Sequence, residues 1–190
     1  MRVRRLAATD VSLVAGIDRS EHVDVEYAVI DGRLVPRPVT VVEVPSWDPA
    51  GTGPHSVAAQ IEHCGSLIAA GATLLGATAD DADHPDDACR VADAYGLAIV
   101  DPGFEPPMAW LAFLYVSRSH RRLGVAQALW NAAVEDARAA GAELMYVSAV
   151  PTGSAVGFYL RQGCRLADPV HPMLFEHEPD DIHLVLPLTS

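Results

Sequence analysis

The chain has 190 residues, a length that predicts one domain over residues 1–190 and suffices to bury a full core. Hydrophobic residues make up 50% of the chain and charged residues 20%, a balance that excludes wholesale disorder. The 25 acidic residues outnumber the 13 basic ones, and the formal charge of −12 argues against a nucleic-acid-binding protein, because such proteins need a basic surface.

The first predicted elements are a short strand and a helix. Residues 2–6 form the strand. Thr9 carries a side-chain oxygen of the kind that caps helices, and it precedes a run with one apolar face. That face consists of Leu13, Val14 and Ile17.

A β-hairpin is predicted next. Residues 27–30 and 39–42 are strand-like runs, and the Asp31-Gly32 pair between them is typical of a tight hairpin turn. Pro36 and Pro38 lack a backbone donor and therefore confine the second run to the edge of a sheet.

The middle of the chain contains a helix and two strands. Apolar positions recur at helical spacing over residues 57–68, and Gly71 stands where a helix cap belongs. Strands are predicted over residues 73–78 and 90–100. The loop 79–87 between them holds five aspartates and lacks the ligand order of a calcium loop, so we interpret it as a solvated loop.

The second half of the chain centres on a strand, a turn and a long helix. Residues 109–116 are almost wholly apolar, as expected of a central strand that is buried on both faces. The helix runs to about residue 140, where Gly141 stops it. The remaining predicted elements are strand 144–150, helix 154–162, strand 165–166 and strand 182–188.

The turn before the long helix has the features of an anion site. It consists of Arg121, Arg122, Leu123, Gly124, Val125 and Ala126. The first N–H groups of a helix have no intrahelical partner, and the helix dipole adds positive potential there. Gly124 and Ala126 are small enough to let a phosphate reach the backbone, and Arg118 and His120 add positive charge nearby. A solvated basic turn that caps the helix is the alternative interpretation, and neither a Walker loop nor a G-x-G-x-x-G motif is present.

Two ordered stretches resemble the GNAT acyltransferase superfamily. Residues 114–129 (LYVSRSHRRLGVAQAL) resemble its acetyl-CoA motif, a hydrophobic strand followed by Arg/Gln-x-x-Gly-x-Gly/Ala and a long helix. Residues 146–149 (YVSA) and 152–164 (TGSAVGFYLRQGC) resemble its strand followed by Asn-x-x-Ala-x-x-Phe/Leu-Tyr-x-x-x-Gly-Phe. The resemblance is firmest over residues 109–188, and the first half matches by the order of its elements.

The resemblance implies an α/β fold and a cosubstrate. The fold would be a single domain with a mixed central sheet of about six or seven strands. Helices would flank this sheet, which would be splayed after the central strand that ends at Val116. Acetyl-CoA would bind with its pantetheine arm against the strand edge at Leu114 and Val116 and its pyrophosphate on the turn 121–126. Thr152 stands at the position of the family's motif asparagine.

The resemblance also implies an N-acetyltransferase. Such an enzyme transfers the acetyl group directly to the primary amine of a small molecule or peptide, through a tetrahedral intermediate whose oxyanion a backbone N–H can face. Tyr159 matches the family's general acid, since a tyrosine with a pKa near ~10 stays protonated and can protonate the departing thiolate. The alternative for Tyr159 is a buried aromatic beside Phe158.

The general base is left open by the sequence. A base must take the proton of the amine before the nitrogen can attack, and some family members use a glutamate from the central strand. Residues 109–116 contain no glutamate. The candidates are Asp181, His183, Glu26, Glu105 and His120, beside a relay through water or an amine that arrives deprotonated.

Departures from the family pattern leave two other hypotheses. The missing strand glutamate and the absent asparagine at Thr152 permit a catalytically weak CoA-binding regulatory module of the same fold. Arg122 stands where the family often has glycine, and Cys164 replaces a common phenylalanine. A general anion-binding α/β domain with accidental motifs is the third hypothesis.

Other features predict the cellular location of the protein, its source, and the absence of disulfides and metal sites. No run approaches the ~18 apolar residues of a membrane span and no signal-peptide pattern is present, so we expect a cytoplasmic protein without a membrane partner. An alanine-rich chain with arginine but no lysine suggests a bacterial source. Cys64, Cys89 and Cys164 are widely spaced, which argues against a disulfide framework, and no metal-ligand motif is present.

The acceptor is predicted only as a class. Trp47 lies in the connection that shapes the acceptor pocket in GNAT proteins. The acidic composition favours a cationic amine, because an acidic surface steers cations. The run 27–44 is a candidate edge for a homodimer.

Overall fold

The computed structural model describes residues 1–79 and 94–188. Its strands are β1 (Arg2–Arg5), β2 (Glu21–Ile30), β3 (Arg33–Val44), β4 (Thr73–Thr78), β5 (Ala94–Glu105), β6 (Met108–Val116), β7 (Leu144–Ala149), β8 (Arg165–Leu166) and β9 (Ile182–Pro187). Its helices are α1 (Val57–Ala69), α2 (Val125–Ala139), α3 (Gly153–Arg161) and α4 (Pro172–His177), with 3₁₀ helices at Ala8–Gly16 and Arg118–His120.

Within the described residues, seven strands form one mixed sheet in the order β1–β4–β5–β6–β7–β9–β8. The pair β6–β7 is parallel and the other pairs are antiparallel. Helices α2 and α3 contribute to the core on one face of this sheet, and α1 with the first 3₁₀ helix covers the other face. This architecture confirms the predicted α/β fold, including the central place of the apolar strand β6.

The central strand contains a bulge that prepares an opening in the sheet. Ile99 of β5 lies opposite Phe113, whereas the next residue, Val100, lies opposite Leu111, so Ala112 is an extra residue on β6. Pairing between β6 and β7 ends at the same place, with Leu111 beside Val147. The predicted splay is therefore confirmed, and it begins beside Leu111 rather than at the end of the strand.

The predicted hairpin forms a two-stranded sheet of its own from β2 and β3. Asp31 and Gly32 have positive φ values of 49° and 71°, as a tight two-residue hairpin turn requires. The hairpin is fastened beside the opening because the Tyr27 N–H donates to the Pro151 carbonyl at 2.7 Å.

Three details of the local prediction need correction. The first helix is a 3₁₀ helix with Ala7 at its N-cap, so Thr9 as the cap is wrong; the Asp10 carboxylate accepts the Ala7 N–H instead. Strand β5 continues to Glu105, beyond its predicted end, and helix α4 was not predicted. Residues 80–87, most of the predicted acidic loop, lie outside the described residues, as does the predicted start of β5 at 90–93.

Candidate active site

A cleft of about 900 Å³ opens where β6 and β7 separate. Its walls come from the ends of these strands, the start of α2, helix α3 and the turn before β9. Nine of the ten predicted site residues line this cavity: Leu114, Val116, Arg121, Arg122, Gly124, Val125, Ala126, Thr152 and Tyr159. Leu123, the tenth, lies beside it with 67% of its surface exposed.

The edge of β6 in this cleft offers unpaired backbone groups. The Ser117 N–H donates to the Tyr95 carbonyl of β5. Backbone groups alternate between the two sides of a strand, so Tyr115 also faces β5, whereas Leu114 and Val116 face the opening. The Val116 carbonyl is taken by Arg121 Nε at 3.2 Å. An extended, amide-rich ligand can therefore pair with the edge at Leu114 and the Val116 N–H.

The turn before α2 exposes a run of backbone donors. None of the N–H groups of residues 122–127 has an acceptor among the described residues. Arg122 and Gly124 have positive φ values of 62° and 83°, and this backbone shape precedes the first turn of α2. A Cβ built on Gly124 would meet nothing within 4 Å, so the approach to these donors is open. The turn thus has the donors, dipole and space that a diphosphate needs.

The Arg121 side chain has a structural task in this turn. Its guanidinium donates to the carbonyls of Val116, Ser20 and Arg19 at 3.2, 3.0 and 2.9 Å. These bonds tie the end of β6 to the segment before β2. The positive charge of Arg121 therefore lies next to the turn, with three of its five N–H donors already bound to carbonyls.

We expect Arg121→Gln to lower the free energy of unfolding by about 2 kcal/mol, because three carbonyls lose a charged donor. Urea denaturation measures this change. Arg122→Gln is the matched control: its side chain is exposed, so stability should change by less than about 0.5 kcal/mol. Equal destabilisation by the two substitutions would contradict the structural task of Arg121.

Thr152 begins helix α3 and is occupied by that role. Its hydroxyl accepts the Ala155 N–H at 3.3 Å and lies 3.1 Å from Ser154 Oγ. The following residue, Gly153, lies so close to Val25 of β2 that an added Cβ would come within 3.1 Å of it. The hairpin therefore packs directly against the start of α3, on the wall of the cleft.

Tyr159 projects from α3 into the cleft. Its ring packs edge-on against Trp130 at 5.5 Å, and 7% of the residue is exposed. Its hydroxyl makes no hydrogen bond with any residue of 1–79 or 94–188. Burial raises the pKa of Tyr159 far above its usual value, so the phenol stays protonated. Tyr159 is therefore a buried aromatic side chain and at the same time a candidate proton donor.

Asp181 supplies a carboxylate that also lines the cleft. It directly precedes β9, which pairs with β7 through Ala149 and Ile182 beside the opening. No described residue donates a hydrogen bond to its carboxylate, and the side chain is half-buried. Burial, with the negative charges of Glu178 and Asp180, raises the pKa of Asp181 to about 7. A carboxylate that titrates near neutral pH in a cleft has the properties of a general base.

The other candidate bases are less suited by position. His183 lies outside the cavity, and its ring nitrogens contact the Tyr146 hydroxyl and the Glu178 carbonyl. Glu105 pairs with His171, and Glu26 lies on β2, both away from the cavity wall. His120 lines the cavity but stacks on Tyr95 with ring centres 4.0 Å apart.

A second cavity of about 800 Å³ adjoins the first on the side of the hairpin. Trp47 lies in the wall between them and packs edge-on against Tyr115. The Arg19 guanidinium lies 4.2 Å from the centre of the Trp47 ring. The wall of the second cavity also contains three acidic residues, Glu21, Glu43 and Asp48.

The described residues lack two features that are typical of other classes of protein. Among residues 1–79 and 94–188, no group of three or more His, Cys, Asp or Glu side chains is arranged to hold a metal ion. The same residues contain no helix long and apolar enough to cross a membrane.

Comparison with known proteins identifies a shared family pattern. The family model described as the acetyltransferase (GNAT) family matches residues 52–164. This range includes the central strand, the turn with its free donors, and Tyr159. No curated protein sequence matches the chain.

Solved structures share the fold at low sequence identity. Nourseothricin acetyltransferase is 20% identical, with a TM-score of 0.70 over 99% of this chain and 98% of that one. A Bacillus anthracis str. Ames protein described as a streptothricin acetyltransferase, solved with acetyl coenzyme A, is 14% identical, with a TM-score of 0.68 over 98% and 97% of the chains. The ribosomal-protein-S18-alanine N-acetyltransferase of Escherichia coli is 14% identical, with a TM-score of 0.59 over 100% and 94%.

Proposed function

The chain belongs to the acetyltransferase (GNAT) family, and on this premise we propose that it transfers the acetyl group of acetyl-CoA directly to a primary amine, with Asp181 as general base and Tyr159 as general acid. The observation that carries this proposal is the placement of the two groups in one cleft. Each is poised for its part, since Asp181 has a raised pKa near 7 and Tyr159 remains protonated.

The residues of the turn 121–126 would hold the diphosphate of acetyl-CoA. The free N–H groups of residues 122–127 point to this role, and the open space at Gly124 permits it. The edge at Leu114 and Val116 would pair with the pantetheine arm and bring the thioester to the gap between β6 and β7. Acetyl-CoA supplies the activated acyl group, and all other steps fall to the chain.

The proton transfers follow from the two walls of the cleft. The Asp181 carboxylate takes a proton from the ammonium group of the acceptor, which frees the nitrogen lone pair. A carbon–nitrogen bond then forms at the thioester carbonyl, and the carbon–sulfur bond breaks as the tetrahedral intermediate collapses. A backbone N–H at the open edge of β6 stabilises the oxyanion. Tyr159 donates its hydroxyl proton to the departing sulfur, and the second proton lost by the acceptor nitrogen restores the Tyr159 phenol, so the net proton released is the one that Asp181 took up.

The acceptor is proposed to be a cationic amine of a small molecule or peptide. The support is the acidic wall formed by Glu21, Glu43 and Asp48 in the cavity that adjoins the thioester gap. An amine acceptor also agrees with the names of three proteins of similar fold, which refer to acetylation of nourseothricin, of streptothricin and of an alanine of ribosomal protein S18.

The proposal is tested by amine-dependent release of CoA. The purified protein, given acetyl-CoA and a panel of neutral and polycationic amines, should release the CoA thiol fastest with the polycationic ones. Acetyl-CoA binding without amine-dependent turnover across the panel would instead favour the regulatory module.

Tyr159→Phe is expected to lower kcat by about 10- to 100-fold, because the departing thiolate loses its proton donor. The KM for acetyl-CoA should stay within about twofold, since the ring keeps its packing against Trp130. Steady-state kinetics measure both constants. Tyr27→Phe on β2, away from the cavity, is the matched control and should retain activity. An unchanged kcat in Tyr159→Phe would remove this residue from its role.

A further inference from the structure

A buried tyrosine–histidine pair lies behind the wall of the cleft and takes no part in the proton transfers proposed above. Tyr146 on β7 is 2% exposed and His183 on β9 is 4% exposed. The Tyr146 hydroxyl lies 2.9 Å from His183 Nδ1. Polar side chains buried this deeply lower stability unless their hydrogen bonds are made, so the partners of the pair indicate what it does.

The pair holds both ends of helix α4. At the first end, the Tyr146 hydroxyl accepts the backbone N–H of His171, the N-cap residue, at 3.1 Å. At the other end, His183 Nε2 lies 3.1 Å from the carbonyl of Glu178, the C-cap residue. A carbonyl can only accept, so Nε2 carries a proton. Nδ1 of the neutral ring then accepts from Tyr146.

The same Glu178 carbonyl closes the turn that carries Asp181. The Asp181 N–H donates to it at 3.2 Å, so this N–H and His183 Nε2 share one acceptor. The Asp181 carboxylate has no hydrogen-bond donor of its own among the described residues. The direction in which this carboxylate points therefore depends on the backbone of the turn.

We propose that His183, held by Tyr146, is a positioning residue that fixes the turn 178–181 so that the Asp181 carboxylate faces the acceptor amine. This inference rests on the proposed function, because it presumes that Asp181 is the base. A chain of bonds from His171 through Tyr146 and His183 to Glu178 then connects a buried network to the group that moves the proton.

The charges around Asp181 set the direction of the expected effect. The titratable groups that interact with it are Glu178 and Asp180 of its own turn, Tyr115 of β6 and Tyr159 of α3, and the charged or titratable Arg19 and His177 line the same cavity. Burial is the largest cause of its raised pKa. A loosened turn lets the carboxylate reach water, so its pKa falls toward the ordinary value. The acid limb of the kcat profile then moves to lower pH.

His183→Leu tests the proposal because leucine fills the site without a donor for Glu178. We expect kcat to fall about tenfold and the acid limb to move down by about one pH unit, with the KM for acetyl-CoA within about twofold. His183→Gln is the rescue variant, since its amide N–H can reach the Glu178 carbonyl, and it should keep most of kcat. Tyr146→Phe removes one hydroxyl. It should also lower kcat and move the acid limb to lower pH, but both changes should be smaller than in His183→Leu.

The controls separate positioning from loss of stability. Glu105→Gln removes only the exposed pair with His171 and should leave kcat and the pH profile unchanged. Thermal unfolding and acetyl-CoA binding report whether each variant folds, and Tyr146→Phe carries the test if His183→Leu does not. Folded variants that keep the wild-type acid limb and kcat would overturn the positioning role.

Asp181→Asn, measured beside these variants, distinguishes this failure from failure of the proposed function. If Asp181→Asn is inactive while the folded His183 and Tyr146 variants behave like wild type, only the positioning role is wrong. If Asp181→Asn remains active, the base assignment is wrong and the positioning role falls with it.

Discussion

Asp181→Asn is expected to lower kcat by about 100-fold or more, because the cleft loses the group that takes the proton of the amine. Asparagine keeps the shape of aspartate but is not a base at neutral pH. The deprotonated carboxylate is the active form, and the pKa of Asp181 is raised to about 7, so wild-type kcat should fall as the pH drops below this value. The measurement is CoA release against pH at saturating acetyl-CoA, and the variant should lack the acid limb.

Asp180→Asn is the matched control for this experiment. Asp180 belongs to the same turn, and its negative charge contributes to the raised pKa of Asp181. Neutralising it should preserve kcat above pH 8 and move the acid limb to lower pH by less than about one unit. A wild-type profile in Asp181→Asn would exclude this carboxylate as the base.

Asp181→Asn is also expected to stabilise the protein. Because the folded-state pKa of Asp181 lies above its ordinary value of 3.8, the folded protein binds a proton that the unfolded chain has lost between these two pH values. Stability is therefore lost as the pH rises toward 7. With solvent screening at this half-buried site, we expect Asp181→Asn to raise the free energy of unfolding at pH 8 by about 1–2 kcal/mol. A gain in stability with a loss of activity is typical of a catalytic carboxylate.

Gly124→Glu is expected to weaken acetyl-CoA binding by about 100-fold or more, since a carboxylate would enter the space that the diphosphate needs. Gly124 also has a φ of 83°, which residues with a side chain adopt only at a cost in free energy, so the substitution destabilises the turn. Calorimetric titration with acetyl-CoA measures the loss of affinity.

Gly141→Glu separates the loss of ligand affinity from backbone strain. Gly141 ends the same helix with the same φ of 83°, and a Cβ there also meets nothing within 4 Å. The two variants therefore carry a similar backbone penalty, but Gly141→Glu should bind acetyl-CoA like the wild type. If Gly124→Glu binds as tightly as Gly141→Glu, the turn is not the diphosphate site.

The regulatory-module hypothesis loses much of its basis once the cleft is seen. It depended on the absence of a glutamate from residues 109–116 and of asparagine at Thr152. Asp181 brings a carboxylate to the cleft from the turn before β9, and the Thr152 hydroxyl caps α3. The proposed mechanism therefore does not need a glutamate in the central strand.

The strand, turn and helix over residues 108–139 were predictable because their signals are contiguous. An apolar run, a glycine at the helix start and a glycine past its end act within one stretch of chain, and helix caps and turns depend on local backbone preferences. The turn 121–126, with its free backbone donors, is of this kind. The predicted bounds of β4 and α3 were accurate, or nearly so, for the same reason.

The task of Arg121 and the choice among candidate bases were not predictable in this way. Arg121 was predicted as a cofactor contact, and the structure adds a structural role, because its guanidinium binds carbonyls of Arg19 and Ser20, about a hundred residues away along the chain. Asp181 was one of five equal candidates. No local pattern distinguishes a carboxylate that the fold buries beside negative charges from one that stays in water.

The residue pattern of the chain was enough to predict the family, the mixed α/β architecture and the turn with free backbone donors, because these follow from local preferences and contiguous motifs. Which carboxylate shares the cleft with Tyr159 followed only from the fold. Pairing of β7 with β9 places the turn 178–181 at the gap that the bulge in β6 opens. The burial of Asp181, the largest cause of its raised pKa, arises from contacts between distant segments, and these exist only once the sheet has assembled.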